Sequence, residues 1–293
     1  MYSMSKKIYY VADFFQKDED FGGAAMSDNA FMERLRDNND IVFEHISYKY
    51  LKPIEEDAFY IVANRSLFPR DYLKEMEKAS YVIIEHDHQY DKGQPGTNGR
   101  NPYMYGPEGI VPDEFKWDLD FYRKADAVFL QTDFHKELCE KNNIEGNLIS
   151  LKTTVFTKGE LSLLRKVLNK DIPCVKEFGI LESGVWLKGT ANAVQTCQIN
   201  KWEYQMIKPQ PTRELFLEEI AKYATLVFIP LSPESCCRFV MEAKMLGLNI
   251  ITTANYGAPL SEWFSLKGAE LIDEIERLII EESIPLIEKY LPC

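Results

Sequence analysis

No apolar run in this 293-residue chain approaches the roughly 20 residues that crossing a bilayer requires, and the opening MYSMSKKIYYV lacks the apolar stretch of a secretory leader. These absences predict a cytoplasmic protein. Histidine is scarce, at four residues, and none of the six cysteines falls into a C-x-x-C or Cys/His spacing. Neither a zinc site nor a disulfide framework is indicated, and buried free thiols are expected. The order G-x-G-x-x-G is missing, which disfavours a nucleotide-dependent oxidoreductase. No convincing Asp-x-Asp metal motif is present either. Basic charge is also short, with 34 Lys and Arg against 46 Asp and Glu, a net −12. The deficit is concentrated in residues 1–157, which hold 19 basic against 28 acidic side chains, whereas 158–293 hold 15 against 18. Acidity in the first half argues against non-specific adhesion to nucleic acid or anionic lipid, while leaving a local basic groove open.

What is present describes a folded protein with room for two domains, 45% hydrophobic and 27% charged. The first half alternates strand and helix. Strands are read at Lys7–Asp13, Ile41–Ser47, Ala58–Ala63, Tyr81–Glu85 and Ala127–Gln131, with helices near Pro69–Lys78, Asp113–Lys124 and Asp133–Lys141. This pattern predicts a parallel, doubly wound sheet. Gly22-Gly23 follows the first strand and leads into a helical stretch, where a glycine pair lets backbone N–H groups approach a ligand. A plain turn is the equally weighted alternative. The fourth strand ends in Glu85-His86-Asp87-His88 and runs into a polar loop, Asp91–Pro112, that includes Arg100. A loop of that length is usually functional or disordered. The two histidines share a face of an extended segment, but no third metal ligand is identifiable.

The stretch that organises the second half is Ala224–Phe264. Leu226-Val227-Phe228-Ile229 reads as a buried strand closed by Pro230 and Pro233, and the helix after it carries Glu234 at its mouth and Glu242 two turns in. The i, i+8 spacing predicts that the two carboxylates sit near one helix face, about 12 Å apart along the axis. The strand Ile250–Thr253 then enters a turn, Asn255-Tyr256-Gly257-Ala258-Pro259. Ahead of this stretch, Cys174–Leu181 reads as a strand, followed by a loop containing Lys188-Gly189 and a helix to Asn200. A lysine there can neutralise a diphosphate as a point charge, or simply be solvated.

Glu234 to Glu242, then Gly247, the apolar strand, Gly257-Ala258-Pro259 and Glu262 together resemble the nucleotide-sugar half of retaining glycosyltransferases of the GT-B fold, most like family 4. The resemblance implies an α/β chain of two Rossmann-like domains facing across a cleft. Residues 1–157 would form an acceptor-side domain, 158–280 the nucleotide-sugar-binding domain, and 281–293 a C-terminal helix that packs back on the first. It implies a nucleotide-sugar donor, with a UDP-sugar favoured, and no required metal or other cofactor. Glu234 would border the transferred sugar, Glu242 the ribose, and Lys188 the leaving diphosphate, with Arg238 as candidate second cation. Gly22, Gly23 and Gly257 would offer backbone contacts to the donor, alongside Cys236-Cys237, which stand where the family usually has Phe-Gly. His86 would lie near the reacting sugar, with His88 and Arg100 on the acceptor side. Glu85-His86-Asp87-His88, Arg100-Asn101-Pro102 and Gln131-Thr132-x-x-His135 resemble short bacteriophage glycosyltransferases. That likeness makes a hydroxymethylated pyrimidine in phage DNA the leading acceptor, in the host cytoplasm. A saccharide or lipid-linked acceptor, and a non-catalytic sugar-nucleotide-binding protein, are the alternatives.

Overall fold

The computed structural model describes residues 7–15, 22–38, 41–92, 109–253 and 256–292. Arg100 and Asn255 lie outside the described residues, as does most of the polar loop after the fourth strand. The chain divides into two compact units, one from the residues up to Thr157 together with those from Ile279 onward, the other Lys158–Leu278.

The first unit is built on a six-stranded parallel sheet. Its strands are β1 (Ile8–Val11), β2 (Phe43–Ile46), β3 (Phe59–Val62), β4 (Ser80–Glu85), β5 (Ala127–Leu130) and β6 (Leu148–Ser150), in the spatial order β2-β1-β3-β4-β5-β6. All four residues of β1, β3 and β5 are buried, as expected of parallel strands covered on both faces. The helices between them are α1 (Gly23–Asn38), α2 (Arg70–Met76), α3 (Leu119–Lys124) and α4 (Asp133–Lys141). Aromatic stacking fills the core, with Tyr9 on Tyr60 at 5.1 Å and Tyr81 on Phe121 at 4.5 Å.

The single helix expected over Asp113–Lys124 is instead a 3-10 turn at Asp113–Phe115 and then α3. The backbone between them is used elsewhere. Lys92 N–H donates to Phe115 O and Trp117 N–H to Tyr90 O, both at 2.9 Å, and Asp118 turns left-handed at φ 52°. Cross-strand pairing thus outcompetes helical propensity over two residues.

The second unit contains α5 (Lys158–Leu168), β7 (Lys176–Leu181), α6 (Thr190–Asn200), β8 (Tyr204–Ile207), α7 (Arg213–Ile220), β9 (Tyr223–Phe228), α8 (Arg238–Met245), β10 (Asn249–Thr252), α9 (Gly257–Leu260) and α10 (Gly268–Leu278). Its four strands are parallel in the order β10-β9-β7-β8. From β7 the chain moves one way to β8, then crosses back to β9 on the other side. The crevice between the carboxyl ends of β7 and β9 is therefore the topological switch point, where open α/β sheets bind ligands.

Beyond α10 the helix continues as a π-turn, Ile279–Ser283, and then α11 (Ile284–Glu288). Pro285 has no N–H and would clash with the carbonyl four residues back in a regular helix; the wider turn relieves this. α11 packs in the first unit against α1, burying Ile284 and Ile287. Ser283 Oγ donates to Leu151 O at 2.7 Å, and Asn147 donates to the Tyr290 hydroxyl at 2.8 Å.

Candidate functional site

Three loops at the carboxyl edge of the second sheet are stitched together by their backbones. Leu231 N–H, after β9, donates to Leu187 O, after β7, at 2.9 Å. Gly257 N–H, after β10, donates to Glu234 O at 2.9 Å, extending a parallel bridge between Glu234 and Tyr256. Gly189 makes the first contact possible. Its φ is +68°, and a Cβ there would stand 1.6 Å from Ile229 O, so no larger residue fits without moving the chain after β9.

This stitching brings Lys188 and Glu234 together at the switch point. Lys188 Nζ donates to both carboxylate oxygens of Glu234, at 2.8 and 2.9 Å, with the lysine side chain 35% exposed and the glutamate 11%. The N-termini of α6 and α8 open on the same sheet edge, where helix N–H groups favour anions.

The sequence expectation of Glu234 and Glu242 on one helix face is corrected. α8 begins at Arg238, so Glu234 belongs to the extended loop before it and Glu242 alone lies on the helix. Cys237 sets that boundary, with φ +62° just ahead of the first helical residue. A left-handed residue at this point is usually glycine, and the cysteine hides the break from a reading of the sequence. Burial, with the Glu234 carboxylate nearby, pushes the Cys237 thiol up to about 12. Cys236 is fully buried, with its Sγ 3.2 Å from Met241 Sδ, and packs rather than faces solvent.

Arg238, the candidate second cation, is turned inward. Its Nη2 donates to Glu160 Oε1 at 2.5 Å and its Nε lies 3.9 Å from Glu242 Oε1, with the side chain 6% exposed. Glu242 is itself buried and ion-paired to Arg213 from α7, a residue the sequence did not single out.

The first unit presents a second polar ensemble, at the end of β4. His86 Nε2 lies 2.6 Å from Asp28 Oδ1 and its Nδ1 3.0 Å from Gln131 Nε2, while Tyr10 donates its hydroxyl to the same Asp28 oxygen at 2.8 Å. Both ring nitrogens of His86 are therefore engaged, and a contact of His86 with a substrate would need one of them released. Burial pulls the His86 pKa down, but the Asp28 charge and hydrogen bond outweigh it and leave the ring above the ordinary histidine value. His135 Nε2 lies 2.8 Å from Asp87 O; burial, with His88 beside it, pushes its pKa well below the ordinary value. His88 is buried edge-on against His135, with ring centroids 4.9 Å apart. Gln131 belongs to the Gln131-Thr132-x-x-His135 pattern legible in the sequence, whereas Asp28 and Tyr10 gave no sequence signal, because a lone Asp on a helix and a Tyr in an apolar strand are ordinary.

Gly22 is exposed, with open space where a Cβ would stand, and Gly23 starts α1. Asp13, at the end of β1, accepts from Ser66 N and Leu67 N at 3.0 Å and from Ser66 Oγ at 2.7 Å. It ties the loops after β1 and β3, the switch point of the first sheet. Among the described residues no group of three or more His, Cys, Asp or Glu side chains converges to hold a metal ion, and no helix is long and apolar enough to cross a membrane.

No family model and no curated protein matches the sequence. Solved structures do match in fold. Sucrose-phosphate synthase from Thermosynechococcus elongatus is 10% identical, with 96% of this chain and 91% of that chain covered and a TM-score of 0.57. Trehalose-6-phosphate synthase, OtsA, is 9% identical over 98% and 96%, with a TM-score of 0.54. A trehalose-6-phosphate structure from E. coli bound with UDP-2-fluoro glucose is 10% identical over 97% and 96%, at 0.53. The likeness extends over nearly the whole chain, and the fold is the two-domain α/β GT-B fold.

Proposed function

We propose that this protein is a retaining glycosyltransferase of the family 4 type that moves a sugar from a UDP-sugar to an acceptor hydroxyl. The observation that carries the reading is the Lys188–Glu234 pair at the switch point of the second sheet. The reaction must stabilise negative charge on the departing diphosphate and positive charge on the sugar. Lys188, the helix N-termini of α6 and α8 and backbone N–H groups near Gly257 serve the first need, the Gly257 amide itself being engaged by Glu234 O; Glu234 serves the second. The bond from the anomeric carbon to the diphosphate breaks as the acceptor oxygen bonds to that carbon, and the hydroxyl proton goes to the leaving phosphate oxygen. The sugar-nucleotide compound bound in the E. coli neighbour and the glycosyltransferase fold support a UDP-sugar as donor.

Glu242 serves the ribose, Gly22, Gly23 and Cys237 contribute donor contacts with Cys236 supporting the loop from its buried position, and His86, His88 and Arg100 serve the acceptor side. Arg238 acts through its neighbours Glu160 and Glu242 rather than as an open cation. The acceptor proposed first is a hydroxymethylated pyrimidine in bacteriophage DNA, modified in the host cytoplasm. Its support is the resemblance around Glu85-His86-Asp87-His88 and Gln131-Thr132-x-x-His135.

The test is to incubate the protein with a panel of nucleotide sugars and follow nucleoside diphosphate release. Hydroxymethylated or unmodified DNA, or an oligosaccharide mixture, is then added, and the products are weighed. Release of UDP, reduced about 100-fold or more in Glu234→Gln, is expected, with a hexose or pentose mass added to hydroxymethylated nucleosides. Sugar gained by the oligosaccharides alone replaces the acceptor. No release from any nucleotide sugar rejects the transferase reading.

A further inference from the structure

Glu242 sits in an unusual position for a carboxylate that is to meet a ligand. Its side chain is 3% exposed, and in its two ion pairs, to Arg213 Nη2 and to Arg238 Nε, the nearest oxygen is Oε1 both times. Oε2 carries no hydrogen bond among the described residues and is not one of the fully buried orphaned atoms, so it remains open to a small donor. The carboxylate is held most closely through Oε1, which leaves Oε2 as the oxygen for a ligand.

The pin comes from a different element. Arg213 is the first residue of α7, whose start is fixed by Thr212: its side chain caps the helix by accepting from Leu215 N at 3.2 Å. The guanidinium carbon lies 5.5 Å from the Phe216 ring centroid, and Phe216 packs on Phe239 of α8 at 6.0 Å. α7 and α8 are thereby aligned where Arg213 reaches across. Arg238 cannot replace it, because its closest contact is with Glu160 and it stands 3.9 Å from Glu242. A buried carboxylate left with that distant partner alone would be free to rotate or to draw in water.

We propose that Arg213 is a positioning residue of the donor site. By holding Glu242 Oε1 it aims Oε2 at the vicinal hydroxyls of the donor's ribose, and so makes the protein select ribonucleotides. The inference rests on the donor-site reading above. A site built to accept a hydrogen bond from a hydroxyl rejects an analogue that lacks it, because the buried acceptor is then left unpaired.

Titration calorimetry of the full chain with UDP and with 2′-deoxy-UDP tests this directly, with ADP and GDP as further probes. The native protein is expected to bind UDP about tenfold or more tightly than 2′-deoxy-UDP, the effect of about 1.4 kcal/mol. Arg213→Met should weaken UDP about tenfold while changing 2′-deoxy-UDP less than about threefold, erasing the discrimination; Arg213→Lys should restore part of it. A purely structural role would weaken both nucleotides equally, and that result overturns the proposal, as does a native protein indifferent to the 2′-hydroxyl. Should Arg213→Met not fold, Arg213→Lys and Glu242→Gln carry the same comparison. A native protein that binds none of UDP, ADP and GDP overturns the donor-site reading itself, and this proposal with it.

Discussion

At the scale of single residues, two backbone positions govern the site. Gly189→Ala puts a methyl group against Ile229 O in a left-handed conformation. It should cost roughly 2–4 kcal/mol in urea unfolding and lower activity by disturbing the Lys188 loop. Cys237 has the opposite sense. It already bears the strain of φ +62°, so Cys237→Gly should raise stability by up to about 1 kcal/mol, the left-handed penalty less the added chain entropy. An unchanged or lower unfolding midpoint would show that the cysteine is not strained. Lys188 and Glu234 were legible because each follows an apolar strand and sits among turn residues. Arg213 was not, since its role depends on α7 lying beside α8, which nothing in its neighbours Thr212 and Glu214 records.

At the scale of elements, the end of β4 combines charges whose contributions oppose each other with pH. His86 has a raised folded pKa, so its stabilisation is fully present below the unfolded value, about 6.5, and is lost as pH rises through the folded one. His135 has a depressed folded pKa, so its stabilisation is present above about 6.5 and is lost as pH falls toward the folded value. The urea midpoint should therefore peak near pH 6.5. Asp28→Asn removes the largest of the influences that raise His86, leaving burial opposed only by the charges of Asp87 and Glu85, so the alkaline decline should shrink and the acid decline deepen.

Deeper in the same element, Arg65 Nη1 meets Glu85 Oε2 at 3.2 Å, with both side chains buried, while Tyr122 donates its hydroxyl to that oxygen at 2.6 Å. Among the described residues Arg65 Nε and Nη2 have no hydrogen-bond partner, but the guanidinium lies over the Tyr122 ring at 4.7 Å. Arg65→Met should cost about 3–5 kcal/mol by leaving a buried carboxylate without its counter-charge, and Arg65→Met/Glu85→Gln should recover part of that loss. The strands of this unit were readable because fully buried parallel strands are continuous apolar runs, as in Phe59–Val62 and Ala127–Leu130. The break at Trp117-Asp118 was not, because it is made by pairing with Tyr90 and Lys92, far away in sequence.

For the whole molecule, the first unit depends on its distant C-terminal segment. Removing residues 284–293 takes away buried Ile284 and Ile287 and the Tyr290 contacts to Asn147 and Phe129. Amide hydrogen exchange should then quicken first in β5 and β6, while β7, β9 and β10 keep their protection. Equal loss in both sheets would mean that the units do not unfold separately. The division into two units also fixes an order of events at the ribosome. Lys158–Leu278 is continuous and is synthesised before Ile284 or Ile287 exists, so the later-encoded unit can finish folding while the earlier-encoded one still waits for its last helix. During that interval the nascent first unit bears uncovered apolar surface around α1, which is where a chaperone would be expected to bind.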